Sequence, residues 1–187
     1  NFYFQVDGFY SYMQDYISGV INPNIKPYSM TSPGVRQIEN IEKAFKTGFE
    51  ASFNWQFLPK YRTEMAVAYT YAKDLNSKEP LPEIAPLDFR WNVEANFQTI
   101  ILAVKYRFVA KQNRIKPDFG EMETPSFNLF DIDAKYNIFK NAYLIGSITN
   151  ILDKAYAEHL SRTLSTDKKQ RILAPGRSFN LSFVYGF

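Results

Sequence analysis

Alternation with a period of two constrains this chain more than any other feature. Near its end Phe179, Leu181, Phe183, Tyr185 and Phe187 take every second position, with Ser178, Asn180, Ser182 and Gly186 among the residues between them. Side chains alternate faces along a strand, so the pattern predicts a strand with one wholly apolar face. It recurs upstream. Phe45, Thr47, Phe49, Ala51, Phe53, Trp55 and Phe57 share one face against Lys46, Gly48, Glu50, Ser52, Asn54 and Gln56. Leu87, Phe89, Trp91, Val93, Ala95 and Phe97 alternate with Asp88, Arg90, Asn92, Glu94, Asn96 and Gln98. Leu102, Val104, Tyr106 and Phe108 alternate with Lys105 and Arg107, and Phe130, Ile132, Ala134 and Tyr136 with Asp131, Asp133 and Lys135. Charges of both signs fall on one side. Period two does not say which face is core and which is lipid, so two readings stand: a soluble sheet with a dry core, or a membrane barrel with a wet, charged lumen. Length separates them, because crossing a bilayer takes about 9 to 11 tilted residues, whereas soluble strands average about 5 to 6. These runs suit the bilayer.

Composition supports the second reading. Aromatic residues are 17% of the 187, led by 17 Phe and 13 Tyr, a supply that suits aromatic belts at two membrane interfaces. Mean hydropathy is −0.32 and no purely apolar run is longer than Ile100 to Val104, which excludes a transmembrane helix and leaves a barrel allowed. There is no cysteine, hence no disulfide framework and no thiolate metal site. A formal charge of +3, dispersed along the chain, gives no footprint for nucleic acid. Asn1-Phe2-Tyr3-Phe4 is already strand-like rather than a signal peptide, so this stretch is expected to be a piece of a longer exported protein.

Eight strands are predicted, over 1–16, 35–57, 61–74, 86–98, 100–114, 125–138, 141–150 and 177–187. Their connections alternate in length. Those near 58–60, 98–99 and 139–141 are tight, while 17–34, 75–85, 115–124 and 151–176 are long and hold most of the proline. Outer-membrane barrels have short periplasmic turns and long extracellular loops. With Phe187 at the periplasmic end, every short connection becomes periplasmic and every long one extracellular.

Specific motifs then narrow the family. The ending, with Phe187 last, Tyr185 two before it and Asn180 upstream, resembles the C-terminal insertion signal of outer-membrane barrels. Asn150-Ile151-Leu152-Asp153-Lys154-Ala155-Tyr156, then Ala157-Glu158-His159-Leu160-Ser161-Arg162, then Pro175-Gly176-Arg177-Ser178-Phe179, resembles the end of a TonB-dependent outer-membrane receptor. Asn40 with Gly48-Phe49-Glu50, Leu81-Pro82-Glu83-Ile84-Ala85-Pro86-Leu87, and Lys111-Gln112 with Thr124-Pro125 are similar to further landmarks of that family, in its order. The resemblance implies an all-β fold: an antiparallel transmembrane β-barrel segment of about eight strands, the C-terminal portion of a 22-stranded barrel, with the plug domain and the earlier strands outside residues 1–187.

The same resemblance implies function. A receptor of this kind sits in the outer membrane of a Gram-negative bacterium and imports a scarce nutrient, commonly a ferric siderophore, heme, cobalamin or a metal ion. TonB supplies energy through the plug, the barrel assembly machinery reads Tyr185 and Phe187, and outer-membrane lipid surrounds the wall. No cofactor is expected. Candidate contacts to a metal-chelate ligand are loop-borne aromatic and basic groups, Tyr28, Arg36, Tyr156, His159 and Arg162, since anionic chelates are held by arginine and stacked rings. His159 is the single histidine, and the segment around it is similar to copper-uptake members; with Met30 or Met122 it would offer soft ligands. Asn150 to Tyr156 is expected to be the stiff base of the last loop, with Asp153 capping its turn through backbone N–H groups.

Two other classes are open to the residues alone. A soluble lipocalin-like barrel would turn its apolar face inward around a small hydrophobic ligand. An outer-membrane enzyme would need a serine, histidine and acid converging at one rim, and Ser161 two residues from His159 is not a triad. No phosphate loop, catalytic carboxylate pair or zinc spacing is present, so the chain is not expected to be an enzyme.

Overall fold

In the eight-stranded sheet, the first element is β1 (Phe2–Gln14), and its neighbour on the ladder is β4 (Lys43–Leu58), not the next strand of the chain. From β4 onward each strand pairs with its successor: β5 (Tyr61–Asp74), β6 (Asp88–Asn96), β7 (Ile100–Val109), β8 (Phe127–Phe139), β9 (Ala142–Thr149) and β10 (Ser178–Tyr185), antiparallel throughout. Between β1 and β4, β2 (Ile17–Asn22) and β3 (Val35–Asn40) form a separate hairpin. The computed structural model describes residues 1–22, 24–28, 35–161 and 171–186.

Register turns the sequence alternation into two continuous faces. Phe4 opposes Phe53, which opposes Met65; Met65 opposes Trp91, Trp91 opposes Tyr106, and Tyr106 opposes Phe130. The apolar face continues through Ile132 opposite Ile148 and Ile148 opposite Phe179. Ring–ring contacts run along it, among them Tyr106 to Phe130 at 4.9 Å and Trp55 to Phe57 at 5.5 Å. The other face carries the charges in pairs, across strands for Arg62 with Glu94 at 3.4 Å and for Lys105 with Asp133, and along β6 for Arg90 with Asp88 at 3.1 Å. Trp91 keeps its one polar atom satisfied on the apolar face, donating Nε1–H to Thr63 Oγ1 at 2.8 Å. Among the described residues most of that face is open: Phe179, Leu181 and Phe183 are 72%, 77% and 62% exposed. A one-residue slip would put the charges among the rings, so register is strongly specified.

Two predicted boundaries change. The stretch 17–34, read as loop, contains β2, and the single run 35–57 is divided into β3 and β4. The cause is a backbone corner. Asp15 and Glu42, non-glycine residues, sit at φ of 55° and 54°, and Asp15 N–H donates to Glu42 O across it at 2.5 Å. Asn40 pins the corner, accepting Glu42 N–H at Oδ1 (2.8 Å) and donating to Asp15 Oδ1 (3.1 Å). Such φ values are uncommon for these residue types and persist where side chains over-determine them. Periodicity alone runs straight through the corner. Likewise β7 ends at Val109 rather than 114, followed by one isolated bridge from Gln112 to Thr124.

Gly48 has a steric reason. A Cβ there would lie 2.4 Å from Tyr69 O and 2.7 Å from the Phe9 ring, which covers the glycine on the charged face. Small apolar clusters occur at the long-connection end of that same face. Leu81 packs on Ala44 and Ala72, and Tyr156 packs on Val109, Phe127 and Leu129. Each long connection concerned thus plants one large side chain on the sheet. At the opposite end the connections are tight: Leu58 pairs directly with Tyr61, and Phe139 with Ala142. Among the described residues β1 and β10 each pair on one side only, so the sheet has two open edges.

Candidate functional site

The long connections meet above one end of the sheet, and Glu121 stands where three of them join. Its Oε1 accepts the Glu83 N–H at 2.6 Å and lies 3.5 Å from His159 Nε2, while Oε2 accepts the Lys116 N–H at 2.8 Å. One carboxylate therefore ties the β5–β6, β7–β8 and β9–β10 connections together. Burial alone would raise its pKa; the His159 ring and the Lys116 and Glu83 amides outweigh that and hold the carboxyl below the usual glutamate range. Neither His159 nor Glu121 stood out by spacing, because the three segments are far apart in sequence.

His159 is buried at this junction. Its Nδ1 lies 3.0 Å from Thr124 Oγ1, so both ring nitrogens are engaged. Arg171 closes the group from the far side of the last connection. Its guanidinium donates to the backbone oxygens of His159, of Ser161 at 3.2 Å and of Met122 at 2.7 Å. Burial lowers the Arg171 pKa, with Glu121 opposing the change.

Below the junction Arg107, at the end of β7, forks between two carboxylates, Asp88 at 2.7 Å and Glu158 at 2.5 Å. This bidentate geometry fixes the stretch just before His159 to the wall. Tyr156 lies beside it, its ring 4.5 Å from that of Phe127. Burial, with the Glu158 charge adding to it, pushes the Tyr156 hydroxyl up from its ordinary value. Tyr156 is thus half-buried in a packed cluster.

The arm made by β2 and β3 reaches the same region. The Arg36 guanidinium stacks on Phe119 at 4.0 Å from the ring centroid and donates to Phe119 O at 3.0 Å. Phe119 ends a short 3-10 turn, Pro117–Phe119. Arg36, Glu83, Glu121, His159, Ser161 and Arg171 line an open cleft of about 600 Å³. Tyr28, in the connection of the arm, is fully exposed and does not line it. Met122 meets the group through its backbone oxygen. Met30 and Arg162 lie outside the described residues, and so does Phe187. Among the described residues no three His, Cys, Asp or Glu side chains are grouped to hold a metal ion.

At the base of the last connection Asp153 accepts a backbone N–H as expected, but from the far end of the connection and not from its own turn. Its Oδ1 accepts the Arg177 N–H at 2.8 Å, across the Pro-Gly-Arg turn. A Cβ at Gly176 would lie 2.7 Å from the same oxygen, so a larger residue there would push the Asp153 carboxylate aside. Asn150, at φ 50°, accepts Lys154 N–H at 2.8 Å and donates to Lys154 O at 2.9 Å, while its own N–H binds Asp131 Oδ1 at 2.7 Å. At the tight-turn end Tyr185 opposes Ala142 on the apolar face, and Asn141 Nδ2 clasps Gly186 O at 2.6 Å.

Comparison with known proteins accounts for this architecture. A family model described as TonB dependent receptor-like, beta-barrel, matches residues 1–151. No curated protein matches the chain by sequence. Among solved structures, the copper transporter OprC is similar over 100% of this chain and 29% of its own, at 24% identity and a TM-score of 0.87. The FrpB iron transporter from Neisseria meningitidis (F3-3 variant) covers 98% of this chain and 29% of its own, at 16% identity and a TM-score of 0.70. The ferric yersiniabactin uptake receptor FyuA from Yersinia pestis covers 100% and 28%, at 12% identity and a TM-score of 0.72. At these identities the likeness is one of fold, and this chain spans under a third of each neighbour's length.

Proposed function

The chain belongs to the TonB-dependent receptor β-barrel family, and on that premise we propose that it forms wall and extracellular loops of an outer-membrane importer of a metal chelate, such as a ferric siderophore. The observation carrying this reading is the pair of continuous faces, one apolar and mostly open across eight strands, the other charged. A lipid-facing exterior and a wet lumen need that division. The open edges support a larger barrel, because unpaired N–H and C=O groups have no partners in hydrocarbon. They also weigh against the lipocalin-like alternative, which needs these eight strands to close around a dry interior. Residues 1–187 are accordingly assigned to the C-terminal portion of that barrel, with plug and remaining strands contributed elsewhere. TonB acts through the plug, and the Tyr185–Phe187 ending is read by the barrel assembly machinery.

Within the loops, Arg36, which lines the cleft, is assigned to the ligand, and Tyr28 and Arg162 stay candidates by residue type and loop position alone. Tyr156 and His159 hold the loops in position, since their contacts are to Phe127, Thr124 and Glu121. Copper is the second reading, favoured by the likeness to OprC. Elemental analysis of cells with and without the intact parent receptor tests both. A drop in cell iron on deletion, restored by the parent and abolished without TonB, supports chelate uptake. A drop in copper alone transfers the assignment to the second reading, and unchanged content of both metals removes metal import.

A further inference from the structure

Glu83 lines the cleft in a backbone conformation its residue type rarely takes. Its φ is 59°, uncommon for a residue with a Cβ, and its neighbours enforce it. Leu81, two residues earlier, is buried against Ala44 and Ala72. On the other side the Ile84 carbonyl accepts from Gln112 Nε2 at 2.7 Å, and the Glu83 N–H is held by Glu121. Backbone of this kind persists where its surroundings over-determine it, and it gathers at functional sites. The consequence is an exposed carboxylate fixed at the cleft. Three basic groups of the same loops are engaged elsewhere: Lys116 with Glu79, His159 with Glu121, and Arg171 with three backbone oxygens.

The arm contributes the opposite charge. Arg36 is oriented by its stack on Phe119 and by one bond to Phe119 O, and a guanidinium has further N–H groups to give. Its fixed fork suits the paired oxygens of a chelating group. A ligand in this cleft therefore meets a positioned cation from the arm and a positioned anion from the β5–β6 connection. At about 600 Å³ the cleft has room for a whole chelate. We infer that it selects a bipolar chelate, a ferric hydroxamate bearing a free ammonium group, with the ammonium on Glu83 and the chelating oxygens on Arg36. A hydroxamate core is uncharged once it holds ferric iron, whereas a catecholate core would bring several negative charges against Glu83 and Glu121. The inference deepens the chelate-import reading and rests on it.

Titration of the intact receptor in detergent with ferrioxamine B and with its N-acetylated form, which lacks only the ammonium charge, tests the assignment. Ferrioxamine B should bind about tenfold more tightly, the worth of one hydrogen bond to a charged group. Glu83→Gln should weaken ferrioxamine B to the level of the acetylated form, and Glu83→Asp should keep part of the preference. Arg36→Gln should weaken both chelates by a like factor. Ferric enterobactin, a strongly anionic catecholate, should bind more weakly than either, and Glu83→Gln should narrow that gap. Heat-modifiability, with unaltered binding of the acetylated form, confirms that the Glu83 variants are folded. Equal binding of the two hydroxamates, a preference that survives Glu83→Gln, or tighter binding of ferric enterobactin overturns the assignment. Cell iron separates the two readings. If deleting the receptor lowers cell iron while neither hydroxamate binds, or both bind alike, the bipolar site alone fails; if cell iron is unchanged and no chelate binds, chelate import fails with it.

Discussion

Along the wall, each strand meets its neighbours in a fixed register, and what matters is which of two faces a residue occupies. At the loop end the same chain is held by single polar atoms. Glu121 joins three connections through Glu83, Lys116 and His159, and Arg171 gathers three backbone oxygens. The wall spreads its stabilisation over many weak, repeated contacts, so individual residues are exchangeable within a face and costly across faces. The loop end concentrates its cohesion in a few charge-assisted bonds, each without a substitute.

The largest effect should therefore come from crossing faces. Val93→Arg places a charge mid-strand on the apolar face and should cost about 2 to 4 kcal/mol, read as a lowered unfolding midpoint in lipid vesicles. Ser52→Arg, on the charged face, should cost far less, and equal losses would erase the distinction between the faces. Next is the loop node. Glu121→Ala removes the acceptor of two amide N–H groups and should destabilise the loop end by about 2 kcal/mol. Hydrogen exchange at Glu83 and Lys116 should speed up while the β4–β5 ladder keeps its protection; uniform loosening of both would show that loops and wall are one cooperative unit.

A smaller effect is expected at the base of the last connection. Asp153→Ala loses the bond to the Arg177 N–H and should cost about 1 kcal/mol, seen as reduced folding yield at elevated temperature. The least is a pH effect confined to the loops. Glu121 titrates lower in the folded loops than when free, so the opened loop end takes up a proton first as pH falls. Its stabilisation is complete above the ordinary glutamate value of about 4.3 and is lost as pH falls through the lower folded value. Protection factors at Glu83 and Lys116, corrected for intrinsic exchange, should hold from pH 7 to 5 and decline in stronger acid. In Glu121→Gln this decline should vanish, and its persistence there would assign the acid sensitivity to another group.

Legibility follows the same division. Alternation gave the faces of β4, β6 and β10 residue by residue, because a period of two is a local property and hydrophobic burial or lipid contact acts on every second side chain alike. Motifs marked Asn150 to Tyr156 as the base of the last connection, since a turn is also local, whereas the reach of Asp153 to the Arg177 N–H, 24 residues on, was not legible. The corner at Asp15 and Glu42 was hidden, because its cause is Asn40 reaching across a hairpin rather than a break in the pattern. So was the role of His159, which composition marks as unusual but whose partners Thr124 and Glu121 come from a different connection.

By itself the sequence determined the class of structure this chain can form: long two-faced antiparallel strands, short turns at one end and long connections at the other. Those are consequences of side-chain alternation, strand length and turn chemistry, and each is written within a few consecutive residues. Only the tertiary structure decided that Glu121, His159 and Arg171 meet, that Tyr156 is packed against Phe127, and that Arg114 crosses to the apolar face to lie on Tyr69 and Tyr71. These contacts join segments tens of residues apart, where no periodicity reaches and where the ladder must first bring the loops together.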